Sequence, residues 1–321
     1  AACSTAGELT PHGLGEGQMV ILLFPADQFK LAARSLAAMR DGGMDRVVEQ
    51  VRQFKTEFLA RHSGGTIFGL CLLDGASFME EAIAAAIHWG LEEVPLLGGS
   101  AGDSLDFERT TLILDGEIVA DSAIFILVQT ELPTEIFKTD NFIPSDEKLV
   151  VTRSDPDRRI VHEFNAAPAA IAYAEIIGTD PGSLTPQSFA SHPLVMRVGG
   201  EYYCRSIQKV NEDHSLSFFC AVDDGIVLAV AEQTGMARST RKALSEISDR
   251  LGGLDFVLGF DCVLRRIDAR NRQVTQTISE IYREHNVLGF NTYGEQYRSM
   301  HLNQTLTGVA FGHLKEGLPI A

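Results

Sequence analysis

The sequence predicts an α+β fold with α/β-like repeats, in which mixed β-sheets are covered by helices. A six-residue pattern that contains a glycine occurs three times along the chain. Apolar runs typical of strands and of helices alternate in the same order around these copies. The composition, 45% hydrophobic and 22% charged over 321 residues, is that of a globular protein with room for two domains.

The three copies of the repeat align without gaps. They read CSTAGE at 3–8, GGSAGD at 98–103 and FNTYGE at 290–295. In each copy a small hydroxyl residue is followed by Ala or Tyr, then Gly, then an acidic residue. A glycine loop at a strand end allows a ligand to approach the backbone closely, although glycines that only form tight turns would give the same pattern.

The segments that flank the second and third copies repeat as well. Each copy is preceded by an apolar strand, an amphipathic helix and a second short strand, and each is followed by another strand. Around the second copy, the strands are 66–73 and 94–97 before it and 123–128 after it, and the helix carries Ile83 and Ile87. Around the third copy, the strands are 256–260 and 287–288 before it and 306–311 after it, and the helix carries Val274, Ile278 and Ile281. The repeated unit is therefore strand, helix, strand, Gly loop, strand.

The first copy is followed by a predicted strand at 19–24 but has no strand and helix before it. The repeat leads us to expect that residues preceding Ala1 complete this unit. A long helical stretch is predicted over 29–62, interrupted at Gly42 and Gly43, with apolar residues on one face of its second half.

The polar stretch 153–159 predicts a domain boundary, which divides the chain into 1–160 and 161–321. The second part opens with a helix over 171–177, after Pro168 and before Gly178. A β-meander is then expected, with strands at 194–198, 202–210, 216–222 and 226–230.

The charge and the cysteines limit the classes of function. A formal net charge of −16 disfavours nucleic acid and anionic membrane surfaces as partners, because both attract basic proteins. No apolar run approaches the roughly 18 residues of a membrane-spanning helix, and the first residues do not resemble a signal peptide. The five cysteines are odd in number and contain no C-x-x-C pair, which suits a reducing cytoplasm.

The third copy and the residues after it form the most polar short stretch between two apolar strands. A ligand pocket needs a few converging polar groups in apolar surroundings, and this stretch offers them. A buried hydrogen-bond network would explain the same residues, and that alternative stays open. The predicted ligand-binding residues, which include two from the second copy, are Asn291, Thr292, Tyr293, Glu295, Tyr297, Asn303, Gly99 and Ser100.

His301, within this polar stretch, is the histidine we select as a candidate metal ligand, although a lone histidine is more often structural. Residues 98–102 satisfy the bare G-x-S-x-G pattern, but a strand rather than a helix is expected after them. We therefore expect no enzyme. A hydrolase that uses Ser100 or Thr292 with Glu295 is the enzymatic alternative.

The order and spacing of these motifs resemble the FIST family of two-part bacterial sensory domains. The most specific part is the run GFNTYGEQY at 289–297, followed by His301, Asn303, Gln304 and Thr305. The resemblance covers nearly the whole chain and implies sensing of a small ligand, with amino acids proposed.

One branch of that family, the NosP-like nitric-oxide sensors, binds haem and regulates a partner histidine kinase or cyclic-di-GMP enzyme. The chain is similar to this branch because it has FIST parts and shows no output domain. The resemblance therefore implies haem as a cofactor, with His301 as its candidate ligand. A sensor of amino acids or other small metabolites without haem is the alternative.

Overall fold

A computed structural model describes residues 1–36, 43–103, 109–119 and 123–314. It confirms the predicted fold class, since mixed and antiparallel sheets are combined with seven α-helices within those ranges. The helices are α1 (Gly43–Leu59), α2 (Glu80–Leu91), α3 (Ala169–Ile176), α4 (Pro186–Ser191), α5 (Met236–Leu251), α6 (Val263–Asn271) and α7 (Thr275–Glu284).

The strands of the described residues are, in chain order, β1 (Ala2–Cys3), β2 (Glu8–Thr10), β3 (Gly13–Gly15), β4 (Phe29–Leu36), β5 (Thr66–Leu73), β6 (Leu96–Ser100), β7 (Leu112–Leu114), β8 (Glu117–Val119), β9 (Ala123–Thr130), β10 (Thr134–Thr139), β11 (Phe142–Asp155), β12 (Ile160–Phe164), β13 (Ala167–Pro168), β14 (Leu194–Val198), β15 (Glu201–Arg205), β16 (Ile207–Val210), β17 (Leu216–Phe218), β18 (Val227–Gln233), β19 (Phe256–Cys262), β20 (Val287–Thr292), β21 (Glu295–Tyr297), β22 (Met300–Leu302) and β23 (Leu306–Phe311).

Two six-stranded sheets have the same design. Their orders are β22-β21-β6-β5-β9-β4 and β3-β2-β20-β19-β23-β10. In each sheet one central pair is parallel, β5 with β6 and β19 with β20, and the next strand of the repeat is antiparallel to it. The second and third repeat units predicted from the sequence are these central strands with their helices.

The outer hairpins of the two sheets are exchanged between the ends of the chain. Hairpin β2–β3, which follows the first copy, pairs with β20, so that Glu8 lies opposite Phe290. Hairpin β21–β22, which follows the third copy, pairs with β6, so that Glu295 lies opposite Gly99. Each sheet is therefore completed by residues from the other half of the chain.

The two sheets pack face to face with helices outside. Phe68 and Phe311, one from each sheet, meet with ring centroids 6.1 Å apart in a shared apolar cluster. Helices α1 and α2 cover the outer face of one sheet, and α5 and α7 cover that of the other. The result is a four-layer arrangement of helix, sheet, sheet and helix, which buries both faces of each sheet.

A third sheet of eight strands contains the segments predicted as a meander, but the meander itself is wrong. The predicted strand 202–210 is divided into β15 and β16, which lie at opposite ends of the sheet: β15 pairs with β14, whereas β16 pairs with β17. Its main order is β15-β14-β18-β11-β12-β17-β16, with β13 paired to β12, and it has its own core with α3 and α4. The polar stretch at 153–159 contains the end of β11 and a short 3-10 turn. Strands β1, β7 and β8 form a small separate sheet.

Besides the meander, two predicted elements are wrong. Residues 29–36 form strand β4 and not a helix; they pair with β9 along their whole length, and β4 occupies the edge of its sheet. An edge strand exposed in its middle lacks the alternation that identifies strands in sequence. The second half of the predicted helix is confirmed as α1, which buries Val47, Val51, Phe54 and Phe58, whereas Gly42 lies outside the described residues.

The segment 19–24 is the other wrong prediction. It has no strand pairing in the structure. Leu22 and Phe24 pack against the core between the sheets, while Met19, Ile21 and Leu23 are exposed. Alternation of buried and exposed residues is thus present without a ladder.

Candidate functional site

The three glycine loops meet in one place. The amide of Asn291 donates to the carbonyl of Gly7 over 2.7 Å, and the amide of Ser100 donates to the carbonyl of Gly294 over 2.8 Å. The amide of Gly102 completes the junction by donating to the carbonyl of Ser4 over 3.2 Å. Residues far apart in sequence are therefore joined by backbone hydrogen bonds at the centre of the molecule.

Glu295 is the ionisable centre of the third loop and is fully buried. Its carboxyl accepts hydrogen bonds from the hydroxyl of Thr292 and, over 2.7 Å, from the hydroxyl of Thr305. Burial nevertheless raises the pKa of Glu295 to about 8, against the lowering effect of these two donors. At neutral pH this side chain is therefore mostly a neutral acid within a hydrogen-bond network.

Most of the predicted ligand-binding residues belong to that network. Asn291 accepts from Arg266 over 3.3 Å and donates to Asp261 over 3.3 Å, and Ser100 accepts from Gln296 over 2.9 Å. The Tyr293 hydroxyl donates to Asp103. A Cβ at Gly99 would lie 2.5 Å from the Thr292 methyl group, so its glycine is required by close packing. Their role as ligand contacts stays a prediction.

His301 is buried, with 1% of its surface exposed. Its Nδ1 lies 3.0 Å from the Gln296 side-chain nitrogen, so the ring accepts there and carries its proton on Nε2. Burial lowers the pKa of His301 to about 4, against the opposing effect of the Glu81 charge. Among the described residues, Nε2 has no hydrogen-bond partner.

Haem requires an open coordination position beside the imidazole and a large space next to it. Nε2 of His301 has no hydrogen-bond partner among the described residues, but it carries the ring proton and offers iron no lone pair in this tautomer. The ring also lies against the Gly294 backbone and lines neither of the cavities described below. The conformation shown does not fit a haem at this residue, and haem binding by His301 stays a prediction. No three His, Cys, Asp or Glu side chains group as a metal site in the described ranges.

A cavity of about 360 Å³ lies between β15 of the eight-stranded sheet and the end of hairpin β21–β22. Its wall is aromatic and charged, with Tyr297 the predicted site residue that reaches it. The lining residues are Lys138, Asp140, Phe142, Pro144, Gly200, Glu201, Tyr202, Tyr203, Tyr297 and Arg298.

A second cavity, of about 550 Å³, lies at strands β14 and β18 of the eight-stranded sheet and is lined by residues such as Val195, Val227 and Ala229. The predicted site residues do not reach it. The first cavity is the better candidate because it adjoins the polar third loop.

The two halves of the chain are joined beside His301 by a buried ion-pair cluster. Arg159, before β12, donates to Glu80 over 2.6 Å and to Glu81 over 2.8 Å at the start of α2. The Glu81 carboxylate also accepts from the amide of Ala221 over 2.8 Å. Burial raises the pKa of Glu80 to about 7, although the adjacent Arg159 lowers it.

Sequence reasoning missed the cavity residues Tyr202, Tyr203 and Lys138, and the cluster around Arg159. Tyr203 is followed two positions later by Arg205, a charged residue inside an otherwise apolar meander strand. An arginine at a core-facing strand position is unusual and was the available signal. No signal in the sequence indicated the contacts of Arg159, because they join residues about 80 positions apart.

The duplicated sheets and the joined glycine loops define a two-part protein of repeated α/β units. Residues 1–167 match the FIST N domain and residues 169–298 match the FIST C domain, so the chain belongs to the FIST family. FIST domains are sensory domains for small ligands in signalling. The division of the chain at residue 160 stays a prediction.

A relative from Methanocaldococcus jannaschii, named as the uncharacterized protein MJ1623, is 24% identical over 254 residues. That alignment covers 68% of this chain and 49% of the relative, so the chain spans about half the length of the curated relative that it matches. None of the described helices is both long and apolar enough to cross a membrane.

Proposed function

We propose that this protein is a sensor that binds a small ligand in the cavity between β15 and hairpin β21–β22. The observation that carries the proposal is the cavity itself, about 360 Å³ and lined by three tyrosines with Lys138 and Arg298. Sites for small molecules are typically concave, largely aromatic or apolar, and fitted with a few polar groups. A volume of this size suits a metabolite such as an amino acid.

The position of the cavity offers a route for the signal. Tyr203 belongs to the eight-stranded sheet, whereas Tyr297 belongs to the hairpin that pairs with β6 of the first half. A ligand that contacts both would stabilise one arrangement of the two parts over another. Differential affinity of this kind is the requirement for a ligand to shift a conformational equilibrium. A partner histidine kinase or cyclic-di-GMP enzyme would respond to the arrangement.

The test is a thermal-shift screen of the full chain against the twenty amino acids, followed by calorimetry on any that raise the melting temperature. Tyr203→Ala and Tyr297→Ala are expected to weaken binding at least about tenfold, since each removes aromatic contact with the ligand. Val227→Ala, in the second cavity, is the matched control and should bind as the parent does. Binding that survives both tyrosine variants but is lost in the control would place the site elsewhere and refute the proposal.

A haem-based nitric-oxide sensor is the second candidate, and the lack of a hydrogen-bond partner at Nε2 of His301 within the described residues favours it, provided that the ring proton moves from Nε2 to Nδ1. It requires the hairpin to open, since the ring is enclosed. An absorption spectrum after haemin reconstitution should then show a stoichiometric Soret band that shifts with nitric oxide and disappears in His301→Ala. A spectrum of free haemin alone, or a Soret band unchanged in that variant, removes His301 as a haem ligand.

A further inference from the structure

Arg205 is a buried cation that forms no ion pair with a side chain of the described residues. It ends strand β15 and is 6% exposed. Its Nη1 donates to two backbone carbonyls, that of His301 over 3.1 Å and that of Cys204 over 3.4 Å. In the part of the chain that the structure describes, Arg205 forms no ion pair with a carboxylate.

The lack of an ion pair at Arg205 is an exception, because the other two buried arginines of the described residues both have one. Arg265 pairs with Asp261 over 2.7 Å, and Arg159 pairs with Glu80 over 2.6 Å. A charge removed from water without a counter-ion is costly, and proteins normally pair it. The cost at Arg205 is therefore a reason to look for an anion that comes from outside the chain.

Nearby carboxylates are already engaged elsewhere. Glu81, which acts electrostatically on His301 together with Arg205, is bonded to Arg159 over 2.8 Å. Asp140, on the cavity wall, is bonded to Lys138 over 2.5 Å. Neither forms an ion pair with Arg205.

Other buried polar groups near Arg205 also lack hydrogen-bond partners. Among the described residues these are Nε2 of His301, the side-chain oxygen of Gln296 and both polar atoms of the Asn303 side chain. All three side chains are at most 1% exposed. Buried polar atoms are normally bonded to protein, water or a ligand. Unused donors and acceptors therefore lie near a buried cation that has no ion pair.

We propose that Arg205 binds a carboxylate group of the sensed ligand. This inference rests on the proposed function, because the rest of the ligand would occupy the tyrosine-lined cavity. Arg205 does not line that cavity itself, but it lies two residues beyond Tyr203, which does, on the same face of β15, a step of about 7 Å. The carboxylate would therefore extend past Tyr203 from the cavity. A molecule with an apolar or aromatic body and one carboxylate matches this spacing.

A carboxylate fits better than a phosphate for reasons of charge. One guanidinium offers a single positive charge and a planar fork that matches a carboxylate. A phosphate carries more charge and normally needs further cations or a set of backbone amides.

The test uses formate, acetate and benzoate as probes, with benzamide as the neutral analogue of benzoate and inorganic phosphate as the alternative anion. Melting temperatures of the full chain are compared at constant ionic strength. At a benzoate concentration roughly ten times its Kd we expect a rise of about 3 °C, and benzamide should give a much smaller one. Calorimetry should show benzoate binding weakened by roughly 30-fold in Arg205→Met, the loss of a charge-assisted contact.

Three variants separate the explanations. Arg153→Met removes an exposed arginine bonded to Glu163 and should respond to benzoate as the parent does. Arg205→Lys keeps the charge and should retain part of the response, which guards against misfolding of Arg205→Met. Tyr297→Ala tests the cavity itself.

A benzoate response lost in Tyr297→Ala but retained in Arg205→Met would overturn the carboxylate assignment and leave the proposed cavity in place. A response retained in both variants would overturn both proposals. Equal responses to benzoate and benzamide, a larger response to phosphate, or no response to any of the three carboxylates would each overturn the assignment of Arg205.

Discussion

Thr and Glu occupy the same two positions of the first and third copies of the repeat and form the same contact in both. The Thr5 hydroxyl donates to Glu8 over 2.7 Å, and the Thr292 hydroxyl donates to Glu295. The contact closes the glycine loop, because it spans the residues on either side of it. A hydroxyl and an acid three residues apart are therefore part of how the loop folds.

The buried acid of the third copy makes stability depend on pH. The folded pKa of Glu295, about 8, lies above its ordinary value of 4.5, so the folded protein binds the extra proton between those values. This contribution to stability is fully present below about pH 4.5 and is lost as the pH rises through 8.

Glu295→Gln, which cannot ionise, removes the dependence. The parent loses stability as the pH rises from 5 to 8.5, and the variant does not. The free energy of unfolding of the variant minus that of the parent should therefore increase by a few kcal/mol, at most roughly 4, over this range. Urea unfolding at the two pH values measures the change, with the exposed Glu147→Gln as control. A difference between Glu295→Gln and the parent that does not vary with pH would contradict the buried neutral acid.

The polar third loop could be predicted from the sequence as a special site, but not its inner arrangement. Clustered polar residues between apolar strands indicate either a ligand or a hydrogen-bond network, and the structure shows the network for Asn291, Thr292 and Glu295. Arg205 and Tyr203 become informative only through the fold, since the contact of Arg205 with the carbonyl of His301 joins residues 96 positions apart.

At the scale of elements, Arg159 fastens the eight-stranded sheet to the start of α2. Its guanidinium contacts Glu80, Glu81 and the carbonyl of Phe219, the last over 2.9 Å. Its φ of 54° places it in the left-handed region, which lets the chain turn from the 3-10 helix into β12. The connection between the eight-stranded sheet and α2 thus depends on one residue, which has a left-handed backbone conformation and three side-chain hydrogen bonds.

Replacing this arginine should cost much more than replacing an exposed one. Arg159→Met leaves the Glu80 carboxylate, 1% exposed, without its cation, and we expect a loss of about 3–5 kcal/mol. Arg153→Met removes an exposed pair with Glu163 and should cost less than about 1 kcal/mol. Urea unfolding of both at pH 8 checks the prediction, and similar losses would show that the cluster does not join the two parts.

Elements with strong periodicity were predictable, and those fixed by distant partners were not. Helix α1 was found from Val47, Val51 and Phe54, which repeat on one face. Strand β4 was mistaken for a helix because its pairing with β9 joins segments that are separated by most of the first half of the chain. Helix α6, whose buried residues include Arg265 and Asp268, carries no apolar stripe to reveal it.

At the scale of the whole molecule, the duplication is more than two similar halves. One six-stranded sheet has four strands from the first half of the chain and a hairpin from the second, and the other has three strands from the second half with β10 and hairpin β2–β3 from the first. The repeat in the sequence predicted the shared units, but the exchange of β2–β3 and β21–β22 follows from pairing between distant edges and is invisible in a linear pattern. Two of the three backbone hydrogen bonds of the glycine junction, Asn291 to Gly7 and Ser100 to Gly294, join the two halves.

This exchange predicts that the halves fold only together. A chain cut between β9 and β10 gives fragments 1–132 and 133–321, of which the first lacks β21–β22 and the second lacks β2–β3. Each fragment alone would expose the edge of a buried central strand, β6 or β20, and such edges promote aggregation. Expressed together, the fragments should copurify through a tag on one of them and unfold in a single transition.

The control for this coexpression experiment uses a first fragment that lacks residues 1–15. This deletion removes hairpin β2–β3, which covers β20, and leaves the position of the cut unchanged. The shortened pair should copurify poorly and melt at a lower temperature. If either fragment instead unfolds cooperatively by itself, with a melting temperature near that of the intact chain, the halves are independent domains. The exchanged hairpins would then add little to the fold, and a ligand at the seam between β15 and β21–β22 would have no rigid connection through which to act.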